Sequence, residues 1–124
     1  MTPEQVATAV AMVPHYKEPF IHNDKEVGYP FNLNTAVNMF GKNVIPEDQG
    51  IYHLFHKGRL VYVGMSKNLR GRLLYHLKDD EKVFDAVLWF NMKDRTIEQV
   101  LNIERNMIKH YVPPLNIEYL CSGY

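Results

Sequence analysis

Between Gly50 and Leu77 the chain reads GIYHLFHKGRLVYVGMSKNLRGRLLYHL, two short β-prone runs joined by a break and followed by a basic helix. Ile51–Phe55 and Leu60–Val63 are rich in β-branched and aromatic residues, and Lys57-Gly58 between them suits the turn of an antiparallel hairpin. If Gly58 ends a three-residue loop in the left-handed conformation, Phe55 faces Arg59, Leu54 lies diagonal to Leu60, and Tyr52 stands opposite Tyr62. Two phenols then share one face. A two-residue loop shifts the pairing by one and sends them to opposite faces, so the turn decides whether the tyrosines act together.

After Gly64 the chain turns at Met65-Ser66, and the spacing predicts a helix from about Lys67 to Lys78. Leu69, Leu73 and Leu77 repeat every four residues and pack down, while Arg72 and His76, also four apart, project together beside the tyrosines. The chain carries no net charge overall, but its distribution is uneven: residues 1–50 have three Lys/Arg against six Asp/Glu, residues 51–78 six against none, and residues 79–124 five against eight. The six are Lys57, Arg59, Lys67, Arg70, Arg72 and Lys78. A local basic face of this kind can dock a phosphate backbone despite the neutral total, with weak and salt-dependent binding; a solvated basic helix is the plainer alternative.

A chain of 124 residues is long enough for one core, and its single cysteine, Cys121, cannot form an internal disulfide. The start, MTPEQVATAVAMV, lacks a basic leader, and no apolar run approaches the ~20 residues needed to span a bilayer, so a soluble intracellular protein with no membrane partner is expected. Thr2-Pro3-Glu4 predicts a helix to about Met12. Residues 15–30, broken by Pro19, Gly28 and Pro30, read as loop, with Tyr16, Phe20, Tyr29 and Phe31 folding back as core in preference to forming a base-stacking surface. Asn34 caps a short helix through Phe40, ended by Gly41. Val83–Phe90 is apolar almost throughout and reads as a third strand, with Trp89 in the core.

Thr96 with Gln99 forms a capping box opening a helix to about Tyr111. Its inward face reads Ile97, Leu101, Glu104, Ile108, Tyr111, which places a carboxylate within an apolar stripe. Such a group must pair with a cation, either a metal or an arginine such as Arg70 or Arg72. Pro113-Pro114 stops the helix, and Leu115-Asn116-Ile117 reads as a short extended piece.

GIY, a nine-residue gap, YVG, then Arg72 and His76 ten and fourteen residues after Tyr62, followed by Glu104 and Asn116, resembles the core of the GIY-YIG nuclease superfamily. The resemblance covers about residues 50–117; the first 49 residues match nothing known to us. Met65 stands where the repair branch of the family commonly has lysine, which removes one phosphate contact.

The expected fold is a small α+β domain, a three-stranded antiparallel sheet with a β-β-α-β-α order and two helices behind it, in residues 50–124, with residues 1–49 as a helical and looped extension packed on the core. The resemblance implies a DNA endonuclease using one Mg²⁺ or Mn²⁺ held by Glu104, with Tyr52, Tyr62, Arg72, His76, Glu104 and Asn116 as site residues and Gly64 a close-approach glycine. Arg72 holds the scissile phosphate through its planar fork. Tyr52 or His76 is the general base; a phenol of pKa about 10 serves only if its neighbours lower that value. Tyr62 positions the phosphate or shares the proton network. No separate DNA-binding domain is visible, so cleavage is structure-directed, weakly specific, or directed by a recruiting protein. A non-catalytic binding module or a ribonuclease are the rival readings.

Overall fold

The computed structural model describes residues 5, 16, 18–79 and 82–116. The predicted N-terminal helix, apart from Gln5, and residues 117–124 lie outside them. Strands β3 (Gly50–His56), β4 (Arg59–Ser66) and β5 (Ala86–Asn91) form one antiparallel sheet in the order β4-β3-β5. Among the described residues three α-helices of eight residues or more accompany it: α1 (Leu33–Phe40), α2 (Leu69–Lys78) and α3 (Ile97–Tyr111). This is the expected α+β core with its β-β-α-β-α order. Its helices do not lie behind one face, however. Leu69 and Leu73 of α2 join the cluster that holds Tyr52 and Leu54, whereas Val100 and Met107 of α3 pack with Ile51 and Val63 on the other side. Alternation along β3 and β4 supplies apolar residues to both faces, so each can bury a helix.

The β3–β4 turn is the tight one. His56 pairs with Arg59, leaving Lys57 and Gly58 as a two-residue loop, both with positive φ (51° and 82°), the pattern of a type I′ hairpin. Taken alone this register would separate the tyrosines. A bulge at Val61 cancels it: Phe55 pairs with Leu60 but Leu54 pairs with Tyr62 and Tyr52 with Gly64. Tyr52 therefore faces Gly64 rather than Tyr62, and the two phenols share a face diagonally, their rings 6.1 Å apart.

Residues 15–30 are not all loop. Phe20–His22 (β1) and Lys25–Gly28 (β2) form a small antiparallel hairpin around Asn23-Asp24, both in the left-handed region with φ of 52° and 61°. Phe20 seats this hairpin against His53, Phe55 and Tyr111. Tyr16 and Phe31 are core as expected, but Tyr29 is exposed. Phe31 also exchanges two backbone hydrogen bonds with Val87, covering the outer edge of β5. The cap of α1 is Asn32, two residues earlier than the sequence suggests, and accepts from the Thr35 N–H at 2.8 Å. Trp89 is partly buried against Phe31.

Helix α3 has the predicted capping box at Thr96 and Gln99, but its buried stripe is rotated. Val100 and Met107 point inward with Ile103 and Ile108 beside them, while Ile97 and Leu101 are 42% and 40% exposed. After α3 the backbone reverses at Val112, a β-branched residue at φ 47°. Residues 114–116 are helical rather than extended. Among the described residues no helix is long and apolar enough to cross a membrane.

Candidate functional site

The free edge of β4 carries the site. Strand β3 occupies one side of β4, and on the other the backbone of Val63 would lack partners but for Asn116. The Val63 N–H donates to Asn116 Oδ1 at 2.8 Å, and Asn116 Nδ2 donates to the Val63 carbonyl at 2.9 Å. One amide thus replaces a neighbouring strand. Asn116 is 6% exposed, with both ends of its side chain engaged between Tyr62 and Gly64.

Two residues further along the same edge, the Met65 backbone hydrogen-bonds the carboxylate of Glu104. Burial nevertheless raises the Glu104 pKa, opposed by the Arg105 charge and by that hydrogen bond. Among the described residues no lysine or arginine reaches ion-pair distance of it. Arg70 is committed elsewhere, to Glu47 and the Ile45 carbonyl. The arginine alternative for Glu104 is not what the structure shows. No group of three or more His, Cys, Asp or Glu among the described residues is arranged for a metal, so any cation here rests on this one carboxylate, water and substrate oxygen.

On the α2 face, the ring of Tyr52 lies over Gly64. A Cβ built on that glycine would come within 2.4 Å of the Tyr52 Cζ and Oη atoms, so residue 64 must lack a side chain for the ring to occupy its place. His76 Nε2 is 2.8 Å from the Tyr52 hydroxyl, and the imidazole is 6.2 Å from the Tyr62 ring. Tyr52 is 2% exposed and His76 4%. Burial drives the Tyr52 pKa well above the ordinary phenol value, with Tyr62 adding to the rise and Arg72 opposing it. This corrects the expectation that its neighbours would lower it, because desolvation outweighs the nearby arginine. Burial, assisted by the charges of Lys82 and Arg72, lowers His76 to about 4, so the imidazole is neutral at physiological pH.

The basic residues do not form one face. Lys57 and Arg59 are at the hairpin tip, five residues or roughly 17 Å along β4 from Gly64. Lys67, Arg72 and Lys78 are exposed along α2 and its approach, with the Arg72 guanidinium 5.9 Å from the Tyr75 ring. Lys82, which sequence reasoning passed over behind an acidic run, has its ammonium 4.9 Å from the Tyr62 ring centre. No periodicity marks it. Only the packing of the segment after α2 brings it there.

The two buried histidines make a testable demand on stability. His53, on the opposite face and in contact with Met107, is lowered to about 3 by burial and His22, and His76 to about 4, against an ordinary value near 6.5. Both are neutral in folded and unfolded chains above pH 6.5. Below it the unfolded chain takes up protons first, so stability falls from pH 6.5 toward 4 by an amount on the order of several kcal/mol. Urea midpoints measured across that range should drop steeply, and His53→Leu should flatten the curve.

A hairpin with two tyrosines on one face, a histidine from the following helix, and a glutamate and asparagine secured to the outer strand edge define a GIY-YIG domain. No family model matches the chain. UvrABC system protein C of Dictyoglomus thermophilum is 34% identical over 82 residues, 59% of this chain but 13% of that protein. The same protein of Acidothermus cellulolyticus is 37% identical over 84 residues, 60% of this chain and again 13% of the relative. The chain therefore spans a small part of the length of these curated relatives. Among solved structures it is similar to the GIY-YIG N-terminal endonuclease domain of UvrC from Thermotoga maritima, determined as point mutants bound to the catalytic divalent cation. A tyrosine-to-phenylalanine form and an asparagine-to-alanine form both match at 26% identity and a TM-score of 0.50, covering 56% of this chain and 83% of theirs. The chain belongs to the GIY-YIG nuclease superfamily.

Proposed function

We propose that this protein is a DNA endonuclease that hydrolyses phosphodiester bonds with one Mg²⁺ or Mn²⁺ held by Glu104. The observation that carries this reading is the Glu104 carboxylate, half-buried at the β4 edge without an ion-pair partner among the described residues, beside a hydrogen-bonded group of Tyr52, Tyr62 and His76. Such a carboxylate suits a hard cation, which would supply charge stabilisation at the phosphate and an acidified water. Arg72 and Lys82 offset phosphate charge from the other side.

Tyr62, the half-exposed member of the pair with Lys82 against its ring, loses its own proton to solvent, and the resulting phenolate takes the proton of the attacking water. His76 Nε2–H donates to Tyr52, and the Tyr52 O–H donates to Tyr62. In that order each hydrogen bond favours negative charge on the Tyr62 oxygen as it forms. Asn116 acts at a distance from the chemistry, holding the strand that carries Tyr62. The relatives are named as components of a UvrABC system, which fits a chain that works inside the cell and is directed to its DNA by a partner protein.

Supercoiled plasmid incubated with Mg²⁺ or Mn²⁺ should be nicked, and chelation should stop it. Salt-sensitive binding without cleavage of plasmid, branched DNA or RNA in either metal would make the chain a binding module instead.

A further inference from the structure

A cavity of about 410 Å³ opens directly beside His76, within the range of small-molecule sites, about 300–1,000 Å³. Its walls come from three places: Leu33 and Asn34 at the start of α1, His76 from α2, and Lys82, Val83 and Phe84 from the segment before β5. His76 is shared between cavity and site, since its Nε2 meets Tyr52 while its ring forms part of the cavity wall. The same buried ring has an Nδ1 with no hydrogen-bond partner among the described residues. Lys82 spans both regions as well, lining the cavity while its ammonium lies over the Tyr62 ring.

Resting on the nuclease reading above, we infer that this cavity is a base pocket: it receives one unstacked nucleobase of the DNA strand whose adjoining phosphate lies at Lys82, Arg72 and Tyr62. The charge of the walls decides between base and phosphate. Asp79 and Asp85 also line the cavity, Asp85 already accepting from the Tyr16 hydroxyl and the Lys57 N–H, and the two negative charges would repel a second phosphate while tolerating the N–H groups of a base edge. Phe84, its ring edge-on to His76 at 6.4 Å, supplies aromatic surface. Extrusion of a base into such a pocket costs least where the base is already unpaired, so the pocket selects bulged or single-stranded positions next to the cut. It also gives the segment ahead of the catalytic motif a function, because Leu33 and Asn34 close one side.

The test uses the full chain with DNA oligonucleotides that carry 2-aminopurine at successive positions, in a duplex with one unpaired nucleotide and in its fully paired counterpart, with chelator present to prevent cleavage. A severalfold fluorescence change confined to one position, and about tenfold tighter binding of the bulged duplex, is expected. Asn34→Trp and Val83→Trp, both exposed positions on the rim, should abolish the position-specific signal and the preference while thermal melting stays close to wild type. A signal spread evenly over positions, no signal on bound DNA, no binding, or a preference unchanged in a folded tryptophan variant would overturn the pocket. The two readings fail separately. A position-specific signal without cleavage in Mg²⁺ would leave the pocket standing and remove the nuclease, and cleavage without such a signal would do the reverse.

Discussion

Replacing Glu104 by glutamine should lower plasmid cleavage by at least about 10²–10³-fold, the loss expected when one group that stabilises developing charge is removed, and should leave the fold at least as stable as before. The two effects have one origin. Burial raises the Glu104 pKa, so the folded chain holds the protonated form more readily than the unfolded chain. For a carboxylate shifted in that direction, stability is fully present below the unfolded value and is lost as pH rises through the folded one. At neutral pH in chelator, ionised Glu104 is therefore a liability. Glutamine retains an oxygen for the Met65 hydrogen bond and carries no charge. Melting in chelator at pH 7 should show the variant at or above the wild-type temperature, and DNA binding should persist. A variant that unfolds, or one that still cleaves, would place the carboxylate in structure rather than chemistry.

Gly64→Ala should act in the opposite sense, harming both fold and activity. The added methyl would overlap the Tyr52 ring, which is fully enclosed and hydrogen-bonded to His76 and so has nowhere to retreat. Overpacking of this kind costs about 1–3 kcal/mol. The φ of Gly64 is not positive, so the penalty is purely steric and should be relieved if the ring is removed. Tyr52→Ala combined with Gly64→Ala should recover part of the stability lost by the single glycine variant, measured by urea denaturation, without recovering cleavage. Strict additivity of the two changes would mean that the ring and the glycine do not meet.

Much of the site was legible because its chemistry is tied to local pattern. The hairpin, the basic helix, the capping box at Thr96 and the odd carboxylate at Glu104 all follow from residue type and short spacings. The Asn23-Asp24 hairpin reads as loop in the sequence, because the flanking prolines and glycine outweigh the two left-handed-tolerant residues between FIH and KEVG that form its turn. The inward face of α3 was not legible either, because Ile97, Val100, Leu101, Ile103 and Ile108 permit more than one apolar stripe, and only the sheet decides which is covered.

By itself, the order of residues determined that two tyrosines flank a turn, that an arginine and a histidine follow on a helix, and that a carboxylate lies among apolar neighbours. Tertiary structure decided how they are arranged. A single-residue bulge returned the two phenols to one face, burial raised the Tyr52 pKa, and Asn116 became a substitute strand. Lys82 joined the site from a loop without periodicity. Each of these depends on desolvation or on contacts between residues distant in the chain, and neither quantity is encoded in local spacing.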